Sequence, residues 1–488
     1  MNRALQVSLA IIIGQLIASM VRLFGLGAGS TLPGRLARKL RPTILTELSK
    51  QVTQDVVAVT GTNGKTTTCG LLAALLSQNK QRVAHNQLGA NMLAGITHAL
   101  VQQSHWNGQL KADWAVLEVD EASLRGVSAE VAIDRLVVTN LFRDQLDRYG
   151  ELDTTGKMIQ AAFPRVAKRI WLNADDPLVA ALGREQAGRE QPNVLYFGLE
   201  GIPTDLHPTT DLPALHDAHA ETTVPFPREV TDCPRCGHPL AYSRVIYGHL
   251  GHYHCPACKY RRPTPTLSAW VTEMTPQGAL LRVQYQAPQQ DSIQTLSLYL
   301  PLPGLFNVYN LLAALTVPLE TSTLNSNTEQ ALTTEAVQTT LEQYHGVFGR
   351  AERRTLRGKP ALVLLIKNPV GASEVLSLVA RDPNARLLIA INDDYADGRD
   401  ISWLWDATFE KIPTHKPVMV SGRRAEDMAV RMRYAGFPHE QIVCEPNLSQ
   451  AIEGSLRQTQ PGETLYILPT YTVLLTLRKT LSQFEGPY

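Results

Sequence analysis

Three things are scarce in this chain of 488 residues. The first is a long unbroken apolar run. Leu5 to Leu26 comes nearest, but Gln6, Ser8, Gln15, Ser19 and Arg22 interrupt it, and a membrane-spanning helix needs a longer continuous apolar stretch. No small-residue cleavage site clearly follows, so the segment does not read as a secretory leader. The second is an excess of either charge: 46 basic residues stand against 45 acidic ones, which leaves no electrostatic footprint for nucleic acid. The third is cysteine. Of six, four fall in two Cys-x-x-Cys pairs and two, Cys69 and Cys444, stand alone. That division argues against a disulfide framework and for a metal site in a reducing, cytoplasmic compartment.

What is present points to an enzyme of two or three domains, with 44% hydrophobic residues to build their cores. The most informative stretch is Asp55-Val-Val-Ala-Val-Thr60-Gly61-Thr62-Asn63-Gly64-Lys65-Thr66-Thr67-Thr68. An apolar strand, a glycine-rich turn and a helical pattern (Leu71, Leu72, Leu75, Leu76) follow one another, as a phosphate-binding loop requires. The glycines let backbone N–H groups turn toward an anion, and the helix start adds its positive dipole end. Lys65 can reach terminal phosphates and the Thr66 hydroxyl can ligate Mg²⁺. Val59 stands where the general pattern has its first glycine.

Around that loop the order is again α/β. Strand and helix patterns alternate from Arg82 to Ile170, as in a doubly wound sheet. The strand Trp114–Leu117 ends in Glu118, Asp120 and Glu121, acids placed where an open α/β sheet has its ligand crevice, or else solvated loop charges. The first helix reads either as a core helix packed on the nucleotide domain or as a helix lying on a membrane surface. A break at Ser30–Gly34 and a basic patch (Arg35, Arg38, Lys39, Arg41) follow it. Cys233-Pro-Arg-Cys236 and Cys255-Pro-Ala-Cys258 have the spacing of two knuckles that gather four thiolates on tetrahedral Zn²⁺, a closed shell with a structural role. His252 and His254 lie beside the second knuckle and are read as non-ligands.

The loop GTNGKTTT resembles that of the Mur ligase superfamily, which activates a carboxylate with ATP and then adds an amine. Asn86–Met92 is similar to its second loop near the γ-phosphate. Thr139-Asn-Leu-Phe-Arg-Asp144-Gln145-Leu-Asp147-Arg-Tyr-Gly150 resembles its Asn-Leu…Asp-His-Leu-Asp signature, with Gln145 for the histidine. Gly304-Leu-Phe306-Asn307-Val-Tyr-Asn310 resembles its adenine-side motif, with Phe306 for a histidine; the Asn pair also suits ordinary helix capping. Lys367 stands where these ligases carry a ribose-binding aspartate. By this resemblance ATP lies on Gly61, Thr62, Asn63, Gly64, Lys65, Thr66 and Thr67, with Asn307, Asn310 and Arg350, and Mg²⁺ is held by Thr66 and Glu118.

The missing N-terminal domain, the four-cysteine insertion, Asn140–Gly150 and the stretch Asp397-Gly-Arg-Asp400-Ile-Ser-Trp403 together resemble the MurT-type branch, the ligase-like subunits of lipid II isoglutaminyl synthase. The resemblance implies ATP-dependent amidation of the D-glutamate α-carboxylate in the lipid II stem peptide. Ammonia would come from a GatD-like glutamine amidotransferase in a heterodimer, whose Cys–His pair is completed by an aspartate of this chain, Asp400 before Asp397. A helix-capping role for these acids is the plainer reading. An amino-acid ligase of the folylpolyglutamate synthase kind is the alternative function. The expected organisation is a helical segment over 1–50, a mostly parallel ATP-binding domain over 51–350 with the zinc ribbon at about 228–263, and a smaller α/β domain over 360–488.

Overall fold

The apolar runs fold as the central strands of a large sheet. In the computed structural model, which describes residues 3–23, 31–86, 90–143, 152–184, 193–203, 229–288, 290–324, 332–344, 346 and 349–485, β1 (Asp55–Thr60), β2 (Val83–His85), β3 (Trp114–Glu118), β4 (Ile133–Val138), β5 (Val166–Asn173) and β6 (Val194–Gly201) pair in parallel. Every residue of β1 and β3 is buried, as strands covered by helices on both faces must be. After the separate hairpin of β7 (Ala241–Tyr247) and β8 (Leu250–His254), the strands β9 (Leu267–Thr275), β10 (Gly278–Gln286) and β11 (Ile293–Leu300) extend the same sheet. β9 joins β6 in parallel, and β10 and β11 follow antiparallel. Their pattern is the half-buried one: on β10, Leu281, Val283 and Tyr285 face inward while Leu280, Arg282 and Gln286 face solvent.

The order β11-β10-β9-β6-β5-β4-β1-β3-β2 puts β1 where the chain changes direction across the sheet. A ligand crevice opens at the carboxyl end of the strands at such a switch point. A second sheet, β12 (Arg350–Leu356), β13 (Lys359–Leu364), β14 (Ala385–Ala390), β15 (Val418–Ser421), β16 (Ile442–Cys444) and β17 (Thr464–Pro469), has the order β12-β13-β17-β14-β15-β16. It is parallel except for the β12–β13 hairpin. Arg350, expected at the end of the first domain, opens β12 of this second sheet. Gly349 (φ +75°) turns the chain into it, and Leu365 donates its N–H to Gly349 O at 2.8 Å.

At the N-terminus, the helix Arg3–Leu23 packs with the helix Leu32–Leu40 against the helix Leu93–Gln103. Gln15 Nε2 donates to Val101 O (3.0 Å) and Ser104 O (2.8 Å). Val7, Ala10, Ile11 and Ala18 are buried, whereas Leu9, Leu16 and Met20 are exposed. The core-helix reading therefore describes one face, and the other leaves apolar side chains exposed. Among the described residues no helix is long and apolar enough to cross a membrane.

The large sheet is tied to the helix Leu305–Leu324 by a buried ionic knot. Glu320 accepts hydrogen bonds from Arg135, from Arg169 Nε (2.9 Å) and from Trp171 Nε1 (3.1 Å), while Arg135 Nε also reaches Asp55 Oδ2 at 2.7 Å. Removing one partner of such a set leaves uncompensated charge in a dry interior. Glu320→Ala should therefore lower unfolding free energy by about 3–5 kcal/mol, and Glu320→Gln, which keeps an acceptor, by less; urea denaturation measures both.

Candidate active site

Glycine is required at two points of the phosphate loop. Gly61 has φ +119°, and a Cβ there would lie 2.4 Å from Thr139 Oγ1; Gly64 has φ +85°, and a Cβ there would lie 1.9 Å from Asn310 Oδ1. Asn310, donating to Asn307 Oδ1 at 3.1 Å, thus packs directly against the start of the loop helix Lys65–Leu76. Asn140 closes the other side: it accepts from Asn63 N–H at 2.8 Å and donates to Asn63 O at 3.1 Å, and Thr139 Oγ1 donates to the same carbonyl at 2.8 Å. The rest of that signature, Asp144 to Gly150, lies outside the described residues, as do Gln87–Gly89 of the second loop.

Charged groups converge over this loop. Lys65 Nζ donates to Gly61 O at 2.5 Å and to Glu121 Oε1 at 2.8 Å, which aims the ammonium across the loop mouth. Thr66 Oγ1 donates to Glu118 Oε2 at 2.7 Å, and Asn91 Nδ2 approaches Glu118 Oε1 at 3.4 Å. A hydroxyl and a carboxylate so juxtaposed are the hard oxygen donors that suit Mg²⁺. A cavity of about 310 Å³ opens above them, between the two sheets. Lys65, Glu118, Asp120 and Asn310 line it from one side, and Arg350, Lys367, Glu374 and Tyr471 from the other.

The second sheet's lobe is fastened to the loop itself. Asn368 caps the helix Pro369–Ala380 by accepting from Gly371 N–H, and its Nδ2 donates to Asn63 Oδ1 at 2.9 Å. Lys367 Nζ donates to Thr62 O at 3.2 Å. Lys367, in place of the aspartate the resemblance leads one to expect, thus puts positive charge beside the phosphate loop. Sequence reasoning noted the exchange but not its direction. It missed the Glu121 pairing, the Asn63–Asn368 contact and Glu374 altogether, because each joins segments far apart in the chain. Cys69 lies fully buried in the loop helix, and burial pushes its thiol well above the usual range, so it has no thiolate to offer.

The four cysteines of the two knuckles meet. The Sγ atoms of Cys233, Cys236, Cys255 and Cys258 lie within 4.8 Å of one another, with Cys233–Cys258 at 3.6 Å and Cys236–Cys255 at 3.5 Å. Tetrahedral thiolates at a metal–sulfur distance of about 2.3 Å would sit about 3.8 Å apart, so the donor set fits a closed metal site. His252 turns away, its Nε2 lying 2.8 Å from Leu199 O. The ribbon is bolted to the end of β5: Tyr253 Oη donates to Ala174 O (3.1 Å), Tyr260 Oη to Pro177 O (2.6 Å), and Arg262 Nε to Asp175 Oδ1 (2.5 Å). Its hairpin tip goes further. Tyr247 stacks on Phe142 (5.9 Å between centroids), meets Tyr309 edge-on (5.7 Å) and forms part of the cavity wall.

Of the two candidate aspartates, Asp397 is buried. It accepts from Thr472 N–H (2.7 Å), the Thr472 hydroxyl and Asp394 N–H (3.2 Å), so it holds its own loop together. Asp400 is exposed and accepts from Ser402 N–H at 2.8 Å, a bond that holds its carboxyl below the usual value. Both sit in the loop that reaches the cavity at Ala396.

A phosphate loop at the switch point of a parallel sheet, facing a second α/β lobe across one cavity, is the site of a Mur-type ATP-dependent ligase. The family described as Mur ligase middle domain matches residues 59–225, and the family described as MurT ligase C-terminal matches 365–474. The MurT subunit of lipid II isoglutaminyl synthase from Staphylococcus aureus is 33% identical over 462 residues, 94% of each chain. Its counterpart from Streptococcus pneumoniae is 34% identical over 466 residues, 94% of this chain and 93% of the other. Among solved structures, a pseudomurein peptide ligase type C from Methanothermus fervidus superposes with a TM-score of 0.62 at 21% identity, covering 90% of this chain and 80% of that one. A folylpolyglutamate synthase from Mycobacterium tuberculosis gives 0.56 at 15% identity, covering 94% and 99%; both show the shared fold. The chain belongs to the MurT family within the Mur ligases.

Because Tyr247 of the ribbon forms cavity wall, the thiol cluster and the ligase site should fail together. Cys255→Ser should release the metal, about one equivalent per chain, and lower both thermal stability and ATP affinity. Elemental analysis, melting curves and nucleotide titration check the three parts; metal loss with unchanged ATP affinity would uncouple ribbon from site.

Proposed function

We propose that the chain is the ligase subunit of a lipid II isoglutaminyl synthase, amidating the α-carboxylate of D-glutamate in the stem peptide. The observation that carries this is the convergence of Lys65, Thr66, Glu118, Arg350 and Lys367 on one cavity, in a chain so similar along its length to proteins of that name. The substrate carboxylate oxygen attacks the γ-phosphorus of ATP, ADP leaves, and an acyl phosphate forms. Ammonia then adds to the acyl carbon, and the C–O bond breaks with its electron pair on phosphate. Lys65 at the loop mouth and Arg350 on the opposite wall supply donors for the charge on the transferring phosphoryl group. Mg²⁺ held by Thr66 and Glu118 would screen that same charge. The ribbon metal is assigned as zinc, since four thiolates in a tetrahedral, closed set suit that ion best.

Ammonia is mostly ammonium at neutral pH and needs a protected source, here a GatD-like glutamine amidotransferase bound to this chain. Asp400 is assigned to complete that partner's Cys–His pair. It is an exposed, ionised carboxylate on a loop after β14, whereas Asp397 is spent on Thr472. Asp400→Asn should stop glutamine-dependent amidation yet keep amidation from added ammonium at raised pH, and Lys65→Ala should stop both. Lipid II turnover with each nitrogen source separates the two roles. Full glutamine-dependent activity in Asp400→Asn would remove the assignment.

The same reading places the chain against the inner face of the cell membrane, where a lipid-linked substrate lies. Exposed Leu9, Leu16, Met20, Leu32 and Leu40 share the N-terminal helices with exposed Arg35 and Lys39, and no acidic residue occurs before Glu47. Apolar side chains beside basic ones suit an anionic bilayer surface. The chain should co-sediment with phosphatidylglycerol vesicles and not with phosphatidylcholine ones, and Leu16→Glu with Met20→Glu should abolish that binding.

A further inference from the structure

The wall of the cavity contributed by the second lobe carries a carboxylate that neither the phosphate loop nor the metal pair uses. Glu374 is on the helix Pro369–Ala380, only 6% exposed, and its Oε1 has no hydrogen-bond partner. Its placement is not accidental to the site. Asn368 at the start of the same helix is bonded to Asn63, and Gly371, one turn before Glu374, also lines the cavity. Residues three and four apart share a helix face, so Gly371, Glu374 and Val375 line the cavity from one face of this helix. Ala396 and Tyr471 also line the cavity, each next in the chain to one partner of the Asp397–Thr472 hydrogen bond.

With Oε1 left without a hydrogen bond, this carboxyl is costly to ionise in such a place unless a further cation visits it. We infer that Glu374 is the ammonium-binding and proton-accepting group of the ligase site, an assignment that rests on the amidation reading above. Ammonium gives one proton to the Glu374 carboxylate and becomes ammonia. The nitrogen lone pair forms the C–N bond at the acyl phosphate, and the C–O bond breaks toward phosphate. The second surplus proton on nitrogen passes to the departing phosphate, giving the amide and hydrogen phosphate, and Glu374 returns its proton to water.

Its surroundings suit a group that must change charge. Burial pushes the Glu374 carboxyl up to about 8, against the opposing pull of Lys411 and Arg381. Lys411, in the turn Phe409–Lys411, donates to Ser377 Oγ at 3.1 Å, and burial brings its own ammonium down to about 8. Tyr247 of the ribbon faces Glu374 from the central lobe, its phenol held neutral by burial. Across the cavity stand Lys65, Asp120 and Glu121, with Arg350 and Lys367 on the near side. A base poised near the working pH serves proton transfer best, and an entering cation favours its ionised form.

The test compares ammonium with hydroxylamine, a nucleophile already uncharged at neutral pH, in lipid II turnover by the full chain with ATP. Glu374→Gln, isosteric with the parent, should lose about 100-fold in kcat/KM for ammonium near pH 7 while still forming the hydroxamate. Its ammonium activity should climb steadily with free ammonia as pH rises, whereas the parent levels off above about pH 8. Glu374→Asp should recover part of the loss. Equal loss with both nucleophiles, or an unchanged response to ammonium, overturns the assignment. A parent chain that forms acyl phosphate from ATP but yields product with neither nucleophile refutes the amidation reading itself, and the role of Glu374 with it.

Discussion

One asparagine holds the two halves of this molecule in register. The backbone of Asn63 is clamped from below by Thr139 and Asn140 at the end of β4, and its side chain is bonded to Asn368 at the head of a helix in the other lobe. The phosphate loop is therefore shaped by the first sheet and sensed by the second. Lys367, next to Asn368, donates to the same loop at Thr62 O. Any shift of the second lobe moves Arg350, Lys367 and Glu374 together relative to Lys65 and Glu118, because all three reach the cavity from one rigid sheet-and-helix layer. Positioning of groups within the site thus reduces largely to how firmly that contact holds.

The contact also explains why the cavity walls differ in character. On the side of the phosphate loop, polar groups are paired with their neighbours: Lys65 with Glu121, Thr66 with Glu118, Asn310 with Asn307. The far wall has Glu374 with an unpartnered oxygen, met from the ribbon by the aromatic ring of Tyr247. The first wall is arranged for an anion with its counter-ion, and the second for a small polar species whose charge changes during the reaction.

Much of this was legible in the chain as written. The Gly61–Thr67 turn needs glycine where the backbone is left-handed, and that requirement is local, so it leaves a readable signature. The same holds for the two Cys-x-x-Cys knuckles, whose four sulfurs do converge, and for the apolar runs that became β1 and β3. Arg350 was expected at the close of the first domain and opens β12 instead, because a turn at Gly349 followed by a short charged strand has no apolar pattern to reveal it. Glu374 and Tyr247 were silent for a related reason: a lone acid in an apolar helix and an aromatic at a hairpin tip mean nothing until another segment is brought against them. The pairing of Asp397 with Thr472 joins residues 75 apart and could be seen only in three dimensions.

The tip of the ribbon touches more than the domain it interrupts. A Cβ on Gly248 would lie 3.0 Å from both Phe142 of the first lobe and Val370 of the second, so the hairpin is a shim between them. It is also made early. All four cysteines precede β12, so the knuckles leave the ribosome before the lobe they will meet, and domains that emerge first fold first. The second lobe would then close onto a surface that a metal ion, once held by the four thiolates, had already finished. Were such a metal scarce, the failure would fall at birth, as lobes that do not dock, rather than later as lost activity in chains already assembled.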